Sequence, residues 1–340
     1  MNGKLLRELR TTLRLSQGDL KDELNRLLGR SYDKPRISRW ENNKEPIPED
    51  VAHTLTALIS NQKQVARVLV LANQKGGVGK TTSSLNLAYA LRSLGCRVLL
   101  IDMDPQATAT IGLLASYHVN AYHDGKTSAQ VILNDKPLRD VILRPQDVPD
   151  ELELPYDMVA SHIELSETDS RREPGFDVAL REAIDSVRNE YDWIVIDAPP
   201  NLGMLTWMSL AAADEVIVPV RTEPYDTMGV GLIMGTVSKI QRRLNPGLRL
   251  SGILPTQYNA RKSVDREVLE QLQVMLRDRS VVLLPVPSSA VYGHAARAGR
   301  VALESSPSSA ATLPYLSVAR SLNNKLPLPL APTLSQEERK

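Results

Sequence analysis

The sequence predicts an α/β fold, a parallel sheet flanked by helices, preceded by a small all-α domain. Three observations carry this expectation. From residue 68 onward, short β-branched and apolar runs alternate with amphipathic stretches, the pattern of strands and crossover helices. One such junction holds a glycine-rich stretch, Gln74-Lys75-Gly76-Gly77-Val78-Gly79-Lys80-Thr81-Thr82. Residues 1–60 differ in character, with leucines at helical spacing and no strand-like run. These shifts divide the chain into a helical domain at 1–60, a linker at 61–67, an α/β domain at 68–326 and a flexible tail at 327–340.

Composition bounds the function. At 340 residues and 42% hydrophobic content, the chain can build two cored domains. Aromatics make up only 4%, so those cores should be aliphatic. Cys96 is the single cysteine, which excludes an internal disulfide framework, a cysteine-rich metal centre and a cluster-bearing electron carrier. No signal peptide opens the chain and no apolar run is long enough to span a bilayer, so a soluble, cytoplasmic protein is expected. The net charge of +1 is unevenly spread. Carboxylates outnumber basic groups from Asp147 to Asp197, whereas Lys239 to Arg300, with Arg279 among them, holds 11 basic residues against 4 acids. A basic face is therefore expected in the last part of the chain.

In the first domain, Leu5, Leu6, Leu9 and Leu13 repeat at helical spacing. Ser16 caps a second helix, Asp19 completes a capping-box arrangement, and Leu20, Leu24, Leu27 and Leu28 form its stripe. Gly29 to Lys34 reads as a turn, and Pro35 suits the first position of a third helix carrying Arg36 to Glu41. A fourth helix, Glu49 to Ile59, presents Val51, Leu55 and Leu58. The strings Leu15-Ser16-Gln17-x-x-Leu20 and Ile37-Ser38-Arg39-Trp40-Glu41-Asn42 resemble the Cro/repressor-type helix-turn-helix, with a longer turn than usual. In that fold the recognition helix lies in the major groove. By spacing, Ile37 and Trp40 face inward while Lys34, Arg36 and Arg39 face outward, and Arg39 is the first candidate for a bidentate bond to guanine. Gln17 and Asn42 would hold DNA phosphates, and the resemblance suggests a structural Arg10–Glu41 ion pair. A helical docking domain with merely solvated basic residues is the alternative.

In the second domain, Val68 to Ala72 reads as a strand and Ser83 to Leu94 as a helix. Strand, glycine-rich turn and helix form the context of a phosphate loop. Glycines let successive N–H groups turn inward, and the helix N-terminus adds positive potential, so the stretch from Gly76 to Thr82 suits phosphate. Lys80 would reach the β and γ phosphates, and the Thr81 hydroxyl would join a Mg²⁺ shell. The usual Gly-x-x-x-x-Gly-Lys-Ser/Thr is not fully met, because Gln74 holds the first glycine position and a second lysine, Lys75, precedes Gly76.

Arg97 to Gln106 is a buried-strand run ending in Asp102 and Asp104, two residues apart and so on one face. Ile111 to Pro155 is read as mostly loop around Tyr117, His118, Tyr122, His123 and Asp124, which lack metal-ligand spacing. Tyr156 to Ser161 is a strand and Asp177 to Glu190 an amphipathic helix. Trp193 to Asp197 is apolar and then acidic, a Walker B form whose carboxylate can hold Mg²⁺ through water. Further strands are expected at Asp214 to Val220, Arg249 to Pro255 and Val281 to Pro287, with a helix at Thr227 to Leu244.

Lys75 ahead of Gly76-Gly77, Asp102-Met103-Asp104-Pro105-Gln106, and Pro199-Pro200-Asn201-Leu202-Gly203 together resemble the ParA/MinD ATPases over about Val68 to Leu326. The resemblance implies a phosphate-loop NTPase sheet, ATP and Mg²⁺ as cofactors, and a homodimer formed on ATP binding. It implies that Lys75 acts across the subunit boundary, that Asp104 orients the attacking water, and that Asp102 supports the ion's shell beside Thr81 and Asp197. It places Asn259 and the exit at Pro287 beside the base. Two departures stand out: Ala198 replaces a family cysteine, and Ser289 to Gly293 replaces Glu-Ala-Pro-x-x-Gly.

The resemblance further implies weak basal hydrolysis stimulated by a ParB-like partner. Nonspecific binding to nucleoid DNA would fall to Arg242, Arg243, Arg261, Lys262, Arg266 and Arg297. The helical domain would add a sequence-specific operator contact for autorepression. The tail has no basic amphipathic helix, which disfavours a membrane role. An ATP-responsive transcription regulator and a nucleoid-based positioning ATPase for a protein cargo share these features and stay open.

Overall fold

The computed structural model describes residues 2–12, 15–61, 65–171, 173–277 and 280–332. Leu13, the side chain of Leu58, Arg279 and the tail beyond Pro332 lie outside the described residues. The chain divides into two units, Met1–Gln64 and Val65–Lys340.

The first unit is four helices: α1 (Gly3–Thr12), α2 (Gln17–Leu28), α3 (Lys34–Glu41) and α4 (Glu49–Asn61). Ser16 Oγ accepts from the Asp19 N–H at 3.1 Å and Asp19 returns a bond to the Ser16 N–H at 2.9 Å, so the capping box forms. Asp33 caps α3, accepting from the Arg36 N–H at 2.8 Å, which starts that helix at Lys34 rather than Pro35. Leu6, Leu20, Leu24, Ile37, Trp40, Val51 and Leu55 form its core. Glu41 is buried beside it and collects Arg10 Nε at 2.5 Å, Gln17 Nε2 at 2.8 Å and Arg7 Nε at 3.5 Å.

The second unit is a six-stranded parallel sheet. Its strands are β1 (Arg67–Leu71), β2 (Val98–Asp102), β3 (Asp157–Val159), β4 (Trp193–Asp197), β5 (Glu215–Arg221) and β6 (Arg249–Thr256), in the order β3-β2-β4-β1-β5-β6. The helices are α5 (Lys80–Ser93), α6 (Thr108–Leu114), α7 (His118–His123), α8 (Ser128–Asn134), α9 (Leu138–Val141), α10 (Ala179–Asp185), α11 (Met204–Ala212), α12 (Asp226–Arg243), α13 (Ser263–Leu276), α14 (Ala290–Arg297), α15 (Ala302–Ser305) and α16 (Leu313–Asn324).

Strand periodicity builds two cores. Val68, Val70, Ile194, Ile196, Val216 and Val218 face one layer, with Leu180, Leu205, Val230 and Leu269 from helices. Leu69, Leu71, Trp193, Val195 and Ile217 face the other, against Leu87 and Leu91 of α5 and Val318 of α16. β4 enters between β1 and β2, so the chain winds both ways from the centre. Ligands of such sheets bind at that reversal, beyond the carboxyl ends of the strands. The register sets Leu71 and Asp102 each opposite Asp197, which brings three strand ends to one edge.

Several expected elements differ. The helix expected at Asp177 to Glu190 is a 3₁₀ turn at Phe176–Val178 followed by the shorter α10. Ser186 Oγ folds back on the Ala183 carbonyl at 2.6 Å, and Arg188 is drawn to the Ala66 carbonyl at 2.9 Å, so the chain turns into β4 early. Val281 to Pro287 makes only isolated bridges, because Pro285 and Pro287 have no N–H for a ladder. The segment read as loop around His118 and His123 is the helix α7, and Tyr122 stacks on His162 with centroids 3.7 Å apart. The start of the expected free tail is packed: Leu284 N–H bonds Pro329 O and Ala331 N–H bonds Val282 O, at 2.8 and 2.9 Å.

Candidate functional site

The glycine-rich stretch leaves the end of β1 and is tied at several points. The Asn73 amide donates to Pro219 O at 2.7 Å, and its Oδ1 accepts the Lys75 N–H at 3.1 Å. Gly77 and Gly79 have φ of 69° and 80°, which a side chain would strain. Thr256 Oγ1 donates to Val78 O at 2.9 Å and Gln257 Nε2 to Gly77 O at 2.8 Å, so the exit of β6 pins the loop. α5 begins directly after Gly79, which puts its unpaired first-turn N–H groups at the loop. Lys80 is buried and donates to Lys75 O at 2.8 Å. Burial lowers its pKa, against the opposing charges of Asp197 and Asp104.

Two carboxylates, Asp197 and Asp104, act on Lys80 of this loop from neighbouring strand ends. Asp197 is fully buried, and its Oδ1 accepts the Ser84 hydroxyl at 2.8 Å. Burial raises its pKa, and the neighbouring Thr81 and Ser84 hydroxyls oppose the rise. Its Oδ2 is buried with no hydrogen-bond partner among the described residues. An orphaned carboxylate oxygen beside a hydroxyl is a donor set that fits Mg²⁺ held partly through water. Thr81 and Asp197 are the residues that would hold such an ion.

Asp102, expected in the ion's shell, is placed otherwise. Its Oδ1 accepts the Asp104 N–H at 3.1 Å, and its Oδ2 accepts both the N–H and the hydroxyl of Thr110, at 3.0 and 2.7 Å. It therefore braces the 102–110 turn. Burial, then the Asp197 charge, raises its pKa. Asp104 is buried with its Oδ1 on the Gln106 N–H at 2.9 Å, while Ser161 Oγ holds its carbonyl at 2.6 Å. Lys75 turns away from the loop and pairs with Asp226 at the start of α12, whose other oxygen takes Arg221 Nε at 3.0 Å.

A cavity of about 240 Å³ opens beside Gly79 and Thr82. Pro287 lines it, with Thr256, Gln257, Ser289, Tyr292 and Tyr315. Asn259 does not: its N–H bonds Asp265 at 2.8 Å and its Oδ1 accepts the Arg261 N–H at 3.0 Å, so it shapes the turn into α13. Sequence reasoning missed Gln257, Tyr292 and Tyr315. Tyr292 falls in the segment that departs from the family, which was the available signal. A larger cleft, about 390 Å³, lies by the opposite strand ends near Arg97, Arg144, Asp157 and Glu190. It is remote from the loop, and its charges pair locally, Arg97 with Asp192 at 2.9 Å for example.

The expected DNA contacts are scattered. In the first unit Gln17 is committed to Glu41, and Asn42 caps α3 through Ser38 O at 2.8 Å. Arg36 and Arg39 both pair with Glu45, at 2.7 and 3.1 Å, and Lys34 is exposed. In the second unit Arg242 and Arg243 end α12, an 18-residue helix that starts at the loop edge. At 1.5 Å per residue that puts them about 27 Å away. Arg261, Lys262 and Arg266 lie after β6 at the loop edge, and Arg297 ends α14. The single basic face expected from the sequence is thus divided among three places.

Residues 66–250 match the family model described as "AAA domain". The chromosome-partitioning ATPase Soj of Thermus thermophilus is 38% identical over 254 residues, 74% of this chain and 94% of the relative. The chromosome partitioning protein ParA of Myxococcus xanthus is 37% identical over 211 residues, 62% of this chain and 71% of the relative. A Mycobacterium smegmatis structure described as cobyrinic acid a,c-diamide synthase with bound ADP and magnesium superposes with a TM-score of 0.64, at 31% identity, over 79% of this chain and 100% of that one. A glycine loop between β1 and α5, an acid at the end of β4 and this degree of identity agree: the chain belongs to the ParA/Soj family of chromosome-partitioning ATPases.

Proposed function

We propose that this chain binds ATP with Mg²⁺ at the loop, pairs with a second copy, holds nucleoid DNA without sequence preference, and is released when a ParB-like partner stimulates hydrolysis. The observation that carries the reading is the Oδ2 of Asp197, which has no hydrogen-bond partner among the described residues, close to Thr81 and Lys80. The N–H groups from Gly76 to Thr82 bind phosphate, and Lys80 exchanges the Lys75 carbonyl for phosphate oxygens. Thr81 and Asp197 would hold the ion, which would supply positive charge to offset that of the phosphates. Asp104 orients the attacking water. Lys75 of each copy reaches the other's phosphates and stabilises charge that grows in the transition state. Pro287, with Gln257 and Tyr292, encloses the base.

In this reading residues 1–60 form a helix-turn-helix that binds an operator through Lys34, Arg36 and Arg39, and 68–326 form the ATPase. Arg242, Arg243, Arg261, Lys262, Arg266 and Arg297 bind DNA phosphates, so affinity falls steeply with salt. The protein is cytoplasmic and nucleoid-associated; among the described residues no helix is long and apolar enough to cross a membrane. Imaging a tagged copy tests the reading. Wild-type protein should coat the nucleoid and Lys80→Ala should be diffuse. Nucleoid association that survives Lys80→Ala would overturn the ATP-dependent cycle and favour the first domain as the sole DNA element.

A further inference from the structure

The two arginines of α3 share one carboxylate. Arg36 donates from Nε to Glu45 Oε1 at 2.8 Å, and Arg39 donates from Nε to Oε2 at 3.1 Å. The turn after Glu41 brings Glu45 back to the helix. There the Asn43 N–H bonds Trp40 O at 3.1 Å, the Lys44 N–H bonds Arg39 O at 2.8 Å, and Asn43 takes a left-handed φ of 54°. Arg36 is held further, its guanidinium lying 5.5 Å from the Tyr32 ring centroid and 5.6 Å from that of Trp40. Hydrogen bonds from Arg39, and then from Arg36, keep Glu45 below the usual carboxylate range, so it is ionised at neutral pH.

Stability does not account for this arrangement. The side chains of Arg36, Arg39 and Glu45 are 42%, 45% and 26% exposed, and ion pairs open to water contribute little to folding. What the carboxylate changes is where the arginines can go. Untied guanidiniums on successive turns of an exposed helix would swing to the phosphates, which dominate the attraction of DNA for cations. Glu45 ties both to the helix and itself repels phosphate. Nε is one of several N–H donors of a guanidinium, so Arg39 keeps its Nη groups for a bidentate acceptor such as guanine O6 and N7.

We propose that Glu45 is a positioning residue for sequence discrimination. It withholds Arg36 and Arg39 from DNA phosphates and so reserves Arg39 for a guanine edge in the major groove. This rests on the reading of residues 1–60 as an operator-binding helix-turn-helix. Glu45 acts through Arg39 and needs no base contact of its own. The first unit thereby gives up affinity for duplexes in general and gains preference among them.

The test uses the full chain without ATP, which in the proposed cycle keeps the second unit off DNA. Wild type selects bound duplexes from a random-sequence pool, and affinity is then measured for a selected duplex and a scrambled one. Glu45→Gln should bind the scrambled duplex several-fold more tightly and lose about 10-fold of discrimination. Its log Kd on the scrambled duplex should rise more steeply with log salt, by about 1–2, as the freed arginines reach phosphates. Selection repeated with Glu45→Gln should relax preference at the same base pair as selection with Arg39→Ala. If Glu45 merely fastens the turn, Glu45→Gln weakens both duplexes alike, and that result would overturn the proposal. An unchanged preference at every position would do the same while leaving the operator reading intact. A wild-type chain that selects no sequence would remove the operator reading, and the proposal with it.

Discussion

Glu41 and Asp197 are both buried acids, and they differ in how completely they are answered. Glu41 has both oxygens engaged, by Arg10 at 2.5 Å and Gln17 at 2.8 Å, with Arg7 behind. Asp197 has one oxygen held by Ser84 and one with no partner among the described residues. Burial pushes both upward in pKa. For Glu41 the hydrogen bonds of Arg10 and Gln17 and the charges of Arg10 and Arg7 win, and its pKa ends below the usual value. For Asp197 burial wins. A saturated buried acid is a fastening, whereas an unsaturated one at a strand end is a place kept for something else.

That contrast makes its largest prediction at the fastening. Glu41→Ala leaves Arg10 and Gln17 facing an apolar core and should destabilise the first unit by about 3–5 kcal/mol. The second unit should keep its ATP hydrolysis, since Glu41 belongs to a separate body. Hydrogen exchange resolved by segment would check both statements. The same site gives a pH dependence. With a folded pKa below the unfolded value of about 4.3, the contribution of Glu41 is full above about pH 5 and fades as pH falls through the folded value. Protection of α1 to α3 should therefore drop in acid in wild type. An acid response that Glu41→Gln leaves unchanged would assign it to other groups.

The next effect is at the unsaturated acid. Asp197→Asn keeps the Ser84 bond but weakens the hold on a cation. Loss of several kcal/mol of charge stabilisation should cut hydrolysis about 100-fold. Melting of the nucleotide-free protein should move little, because burial of the Asp197 carboxylate outweighs the Ser84 bond and the Lys80 charge that favour its ionised form. A large fall in melting temperature would erase the distinction between the two acids.

The same division explains what was legible in advance. The loop, Asp104 and Asp197 follow strands in sequence, so a strand, a turn and a residue type sufficed to place them at one edge. The sheet was legible for the matching reason: each strand is an apolar run between breakers. Asp226 was not legible, because Lys75 meets it only when β1 and β5 lie side by side. The bonds of Asp102 were not legible because they depend on Thr110, eight residues on, folding back over it. The basic residues read as one group in sequence, yet α12 carries Arg242 and Arg243 a helix length away from Arg261. Charge counts along a chain do not report which end of a helix a side chain occupies.

The smallest effect is expected at Gln257, which has φ of 55° while its amide clamps Gly77 O at 2.8 Å. A non-glycine residue in that region costs about 1–2 kcal/mol, and the amide bond returns about 1 kcal/mol. Gln257→Gly removes both, so net stability should move by less than about 1 kcal/mol. Its effect on the loop should be more visible than its effect on folding, because the pin on Gly77 is lost while Thr256 still holds Val78. Faster amide exchange from Gly76 to Gly79, with melting nearly unchanged, is the expected signature. If exchange in the loop is unaltered, Thr256 alone pins it, and Gln257 keeps its unusual backbone for the cavity it lines rather than for the phosphate turn.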